Sequence, residues 1–151
     1  MGRQKAVGSK GDVSMWNESH GQDVFQRNGQ VYTVEATKTV RQAAEKMNDS
    51  RIGCLVVTDP RGAPVGILTE RDILRKVVAR SLDPAQATAG QIMSGKIVSC
   101  TLNTSITRAQ QLMAQHEIRH LPIMDGGRLL GMISSRDILG YQLSSVEAIV
   151  R

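Results

Sequence analysis

Aromatic side chains are almost missing from this chain: one Trp, two Tyr and one Phe in 151 residues. That scarcity argues against nucleic-acid readers that stack bases on exposed rings. It also obliges the core to be aliphatic, built from Val, Ile, Leu, Ala and Met. Cysteine is nearly as rare. Cys54 and Cys100 lie far apart in apolar stretches, with no CxxC spacing and no His or Cys cluster around them. A zinc site is therefore not expected, and the pair reads as two buried, reduced thiols of a cytoplasmic protein. No apolar run approaches the ~20 residues of a membrane span. The opening MGRQKAVGSKGDVSMW has no apolar signal core.

Charge of either sign is moderate. Lys and Arg number 19 against 14 Asp and Glu, a net charge of +5. This suits an anionic ligand but is modest for a dedicated DNA binder, so nucleic acid is not an expected partner. Three of the cations, Arg3, Lys5 and Lys10, fall in an N-terminal stretch without hydrophobic periodicity. Residues 1–22 are expected to be disordered or loosely attached.

What the chain does contain is a repeat. GILTERD at Gly66 to Asp72 returns as GMISSRD at Gly131 to Asp137. With an offset of sixty-six, Val40 falls on Ile106, Ala43 on Ala109, Met47 on Met113, Ile52 on Ile118 and Asp59 on Asp125. One residue is lost in the turn, and the offset then becomes sixty-five, placing Thr69 on Ser134 and Asp72 on Asp137. The lead-ins correspond loosely, DVF at Asp23 to Phe25 beside QIM at Gln91 to Met93.

Each copy predicts the order β-α-β-β-α. An extended piece comes first, VYTV at Val31 and KIVSC at Lys96. The spacing of Val40, Ala43, Ala44 and Met47 predicts a helix with one buried stripe, in which Met47 and Met113 are core residues. Thr37 or Thr39 is its candidate N-cap, and Asn103 or Thr104 that of its twin. Two strands around a turn rich in Asp, Pro and Gly follow (CLVV and VGILT; HLPIM and LLGMIS), then a second helix, ERDILRKVVARS or SRDILGYQLSS. A unit of about sixty residues buries little surface alone. The expected fold is therefore α/β (α+β), with two units packed about a pseudo-twofold axis, sheets back to back and helices flanking them. The first unit spans 23–80, a connector 81–90 and the second unit 91–151.

The doubled junction admits two readings. Thr69 at the end of a strand, with Asp72 three residues on, has the form of a capping box, which needs no ligand. The same geometry also offers free N–H groups and a cap hydroxyl to a phosphate, and a carboxylate to the hydroxyls of a ribose. His20 and His116 read as solvated. His120 could be a hydrogen-bonded core histidine, and Arg71 and Arg136 ordinary surface charges.

The paired T/S-x-x-D pattern after a second hairpin strand resembles tandem CBS domains, the Bateman module. The similarity runs from about Asp23 to Tyr141 and is closest over HLPIMDGGRLLGMISSRDIL. It implies binding of adenosine-type ligands: AMP, ADP, ATP, S-adenosylmethionine, sometimes dinucleotides. Carried over by motif, one site would use Thr69 and Asp72, the other Ser134 and Asp137, with aspartate on the ribose and Ser/Thr on phosphate. Ile52 and Ile118 would line adenine pockets beside Tyr32 and Val98. Arg119, His120 and Arg136 would favour a phosphorylated ligand in the Thr69/Asp72 site, with Arg71 a further candidate. No catalytic constellation stands out, so the resemblance implies a stand-alone regulatory module, a homodimer through its helices, acting on an unidentified effector protein, with no cofactor required. The alternatives are a scaffold with vestigial pockets that dimerises through its helices, or a binder of single-stranded nucleic acid or a signalling dinucleotide.

Overall fold

The computed structural model describes residues 33–150, with the side chains of 148–150 set aside. The N-terminal extension, the Asp23–Phe25 lead-in and Tyr32 lie outside these residues. The first unit runs β1 (Thr33–Glu35), α1 (Val40–Ser50), β2 (Cys54–Thr58), β3 (Pro64–Thr69) and α2 (Glu70–Ile73), which continues into a π-helical turn, Leu74–Val78. Then come α3 (Ala89–Ile92), α4 (Ile106–His116), β4 (His120–Asp125), β5 (Arg128–Ser134) and α5 (Ser135–Val150). β1 pairs parallel with β2, and β2 antiparallel with β3. In the second unit β4 pairs antiparallel with β5.

The helices begin where polar side chains satisfy free amides. Thr39 caps α1 in a reciprocal box with Gln42, whose amide donates to Thr39 Oγ1 at 3.1 Å while Thr39 N donates to Gln42 Oε1 at 3.0 Å. The twin helix is capped by Ser105, not by Asn103 or Thr104: Arg108 N donates to Ser105 Oγ at 3.0 Å. Thr104 is already engaged in the preceding turn, accepting Thr101 N at 2.9 Å. Both helices end on a non-glycine residue in the left-handed region, Arg51 and Glu117, each at φ 54°.

The buried stripes are Val40, Ala43 and Met47 in α1 and Ile106, Ala109 and Met113 in α4. Each faces its own cluster. The first gathers Leu55, Val57, Leu68 and Val77, the second Leu121, Ile123, Ile133 and Ile138. The residues between the units do more than connect. Ala87, Ala89 and Ile92 belong to the first core. Val40 N donates to Ala87 O at 2.8 Å and Arg41 N to Pro84 O at 2.9 Å. Ser94 exchanges two backbone hydrogen bonds with Ile67, at 2.9 and 3.0 Å. Gly66 is what permits this approach, since a Cβ there would lie 2.4 Å from Met93 Sδ and 2.7 Å from the Ser94 carbonyl.

Because Ser94 is held by the first unit, only the end of the KIVSC stretch reaches the second sheet. The expected strand reduces to one parallel bridge, Cys100 to Ile123. On β2, Cys54 and Val56 are as buried as Leu55 and Val57 but point from the opposite face. Pro122 holds the position in β4 that Val56 holds in β2, and it is also fully buried. Both β2 and β4 are thus buried on two faces, and one of those faces carries the unit's own core.

Candidate functional site

At the β3–α2 junction the chain passes from extended Thr69 (φ −113°, ψ 160°) directly into helix. Asp72 N donates to Thr69 Oγ1 at 3.1 Å, and Asp72 Oδ2 accepts both the amide and the hydroxyl of Thr69 at 3.0 Å. The second junction repeats this: Ser134 N donates to Asp137 Oδ2 at 2.9 Å and Asp137 N to Ser134 Oγ at 3.0 Å. Both motifs are therefore capping boxes. A box does not use up a carboxylate, whose two oxygens offer about four lone-pair positions. Lys76, which carried no sequence signal, contacts the other oxygen, Asp72 Oδ1, at 3.2 Å and donates to Ile92 O at 3.0 Å.

Beside the first junction lies a crevice of about 590 Å³, inside the ~300–1,000 Å³ range of small-molecule sites. One wall comes from the first unit: Gly53, Cys54, Thr69, Glu70, Arg71 and Asp72. The other comes from the second: Val98, Glu117, Ile118, Arg119 and His120, with Lys96 from the segment leading into it. Arg71 crosses the gap, its Nη1 donating to the Glu117 carbonyl at 3.4 Å. That carbonyl belongs to the left-handed residue that ends α4.

The crevice brings together seven of the residues singled out by sequence: Thr69, Arg71, Asp72, Val98, Ile118, Arg119 and His120. Ile52 packs against the first core instead. Ser134, Arg136 and Asp137 stand at the second junction and are not among the residues lining this space. Gly53, Cys54, Glu70 and Lys96 were not anticipated. Gly53 and Cys54 could have been found from the repeat, for they occupy the positions of Arg119 and His120.

Burial governs the titration of the groups in the wall. It pushes the Cys54 thiol up to about 12, and the nearby Asp72 carboxylate adds to the effect. Desolvation lowers the pKa of His120, with Arg119 acting in the same sense. The carboxylates of Asp137 and Glu70 work against that shift. Unliganded, the imidazole is therefore held toward its neutral form.

The CBS-domain family profile matches residues 23–79 and again 89–144. The chain belongs to the CBS-domain family. Over 119 residues it is 38% identical to the CBS domain-containing protein YhcV of Bacillus subtilis, covering 79% of this chain and 84% of that one. A solved CBS-domain-containing protein of Agrobacterium tumefaciens superposes with a TM-score of 0.78 at 30% identity, over 82% of this chain and 99% of the other. The hexameric CBS-CP12 protein of bloom-forming cyanobacteria gives a TM-score of 0.71 at 32% identity, over 80% and 69% of the two chains. Among the described residues, no grouping of three or more His, Cys, Asp or Glu could hold a metal ion, and no helix is long and apolar enough to cross a membrane.

Proposed function

We propose that the crevice between the two CBS units binds a phosphorylated adenosine-type ligand of the AMP, ADP or ATP class, and that its occupancy is relayed to an effector protein as a change in how the units sit against each other. One observation carries this reading: Arg71 of the first unit and Arg119 and His120 of the second face a single cavity whose apolar wall includes Ile118 and Val98. A flat base suits the apolar part, and arginine forks suit phosphate oxygens. On this reading Asp72, which lines the same space, meets the ribose hydroxyls with lone pairs left over from its bonds to Thr69 and Lys76. Since both units build the walls, a ligand that contacts both favours one relative arrangement over others, which is the requirement for a regulatory rather than a catalytic module.

Thermal unfolding against AMP, ADP, ATP and S-adenosylmethionine tests it. A ligand present at a hundred times its dissociation constant adds ~2.7 kcal/mol to stability. A set of flat melting curves across all four leaves the scaffold reading in its place.

Self-association through the second helices is a companion proposal. Leu74 and Val78 in the first unit and Leu139, Leu143 and Val146 in α5 are large apolar side chains left exposed. The two helices carry them at matched places, since an offset of sixty-five sets Leu74 on Leu139 and Val78 on Leu143. Stripes of this kind favour burial against a second copy, and one structural relative is itself a hexamer. Sedimentation velocity is expected to show a dimer that a Leu139→Lys, Leu143→Lys variant dissociates. An unchanged sedimentation coefficient contradicts it.

A further inference from the structure

The two units close their strand-to-helix corners with the same backbone bond but different side chains. Glu70 N donates to Gly53 O at 2.9 Å, and Ser135 N donates to Arg119 O, also at 2.9 Å. In the first unit an acid at the helix start stands over a glycine. In the second a serine at the helix start stands beside an arginine. The exchange has a steric basis, because a Cβ on Gly53 would come within 2.9 Å of the Glu70 carboxyl carbon. Glycine is the residue that leaves Glu70 its place. Of these four residues, Gly53, Glu70 and Arg119 line the crevice. An otherwise symmetric corner thus puts one carboxylate and one guanidinium into the same space, from opposite units. His120 registers both, Glu70 favouring its protonation and Arg119 opposing it.

A carboxylate is an odd lining for a phosphate site unless it limits how much negative charge the site accepts. Building on the nucleotide reading above, we propose that Glu70 is a specificity-determining residue of the crevice, selecting a nucleotide with a single phosphate over the free di- and triphosphates. Arg119, Arg71 and Lys96 supply cations for one phosphate group. A longer phosphate chain carries additional charge into the same space and meets the Glu70 carboxylate, a repulsion that water and salt screen only in part at this range. Glu70 also sits in the first turn of α2, where an acid is electrostatically favourable without any ligand. That structural role predicts an effect on melting temperature but none on the ranking of ligands by charge.

The test is a pair of dissociation constants, for AMP and for ATP, measured by titration calorimetry in metal-free, low-salt buffer. Three full-length proteins are compared: wild type, Glu70→Gln, and Glu70→Ser, which installs the residue that the second unit already tolerates at this corner. Wild type is expected to prefer AMP. Both variants should shift the AMP-to-ATP preference toward ATP by roughly threefold to tenfold, and the shift should shrink as salt is raised. An identical preference in wild type and both variants overturns the role of Glu70 and leaves nucleotide binding standing. If wild type binds neither nucleotide, both proposals fall together.

Discussion

Asp72 holds Thr69 with one carboxylate oxygen and Lys76 with the other, at 3.0 and 3.2 Å. The residue proposed to meet a ribose is thus also a structural element, and its two roles are separable by substitution. Asp72→Ala removes the carboxylate half of the box, leaving that residue's backbone amide on Thr69 Oγ1, and is expected to cost about 1 kcal/mol in the absence of ligand, the net worth of a typical hydrogen bond. Asp72→Asn keeps an acceptor for the Thr69 amide and should cost less. Urea unfolding of the two ligand-free variants measures the difference, and equal losses would mean that the side-chain acceptor at position 72 contributes nothing to stability.

Gly66 supports a prediction about the fold. An alanine there meets Met93 Sδ, which can move, and the Ser94 carbonyl at 2.7 Å, which is pinned by its exchange with Ile67. Gly66→Ala should therefore lose about 1–3 kcal/mol, the usual cost of overpacking a filled site, and should loosen residues 84–94 from the first core. Hydrogen exchange at the amides of Ile67 and Ser94 reads this directly, and protection equal to wild type would count against it.

The thiols provide a check at high pH. A free thiol ionises near 9.0, whereas folding holds Cys54 near 12 and Cys100 near 11. Their contribution to stability is complete below pH 9 and is lost as pH rises toward those values, because the unfolded chain releases its protons first. Native protein at pH 8 should react with a thiol reagent only as fast as it unfolds. Rapid labelling of both cysteines without unfolding would contradict the burial described.

His120 gives the opposite dependence. Its pKa is lowered by burial, so stability is lost as pH falls below the unfolded value of about 6.5, where the unfolded chain takes up a proton that the folded chain resists. On the nucleotide reading, a phosphate in the crevice would add to the counter-charge that Asp137 and Glu70 already provide. AMP bound there should accordingly raise the His120 pKa seen by NMR. An imidazole titration unaffected by AMP would place the phosphate elsewhere.

Much of this architecture is readable from the chain because the repeat doubles each weak signal. A single T-x-x-D is an ordinary helix start, but two of them beside matched stripes such as Val40-Ala43-Met47 and Ile106-Ala109-Met113 define a unit and its twin. Features that break the symmetry were harder to read. The connector Ser81–Gly90 looks like a polar spacer, yet Ala87 and Ala89 bury in the first core because the backbone amides of Val40 and Arg41 need carbonyl partners there. The π-helical turn Leu74–Val78 has no counterpart in α5, and no side chain announces it. Capping went to Ser105 because Thr104 was drawn into a turn with Thr101. Glu70 carries no sequence signal for a different reason: an acid at a helix start is favourable without any ligand, and only the fold brings it to the same crevice as Arg119.

The central claim is that Arg119, reaching from the second CBS unit, grips the phosphate of a nucleotide seated beside Asp72 of the first. Titration calorimetry of AMP and of adenosine into wild type and Arg119→Ala tests it most directly. The predicted result is saturable AMP binding to wild type, weakened at least tenfold in Arg119→Ala, with adenosine losing far less. If the two ligands keep the same relative affinity in both proteins, Arg119 does not hold the phosphate and this account of the site is wrong.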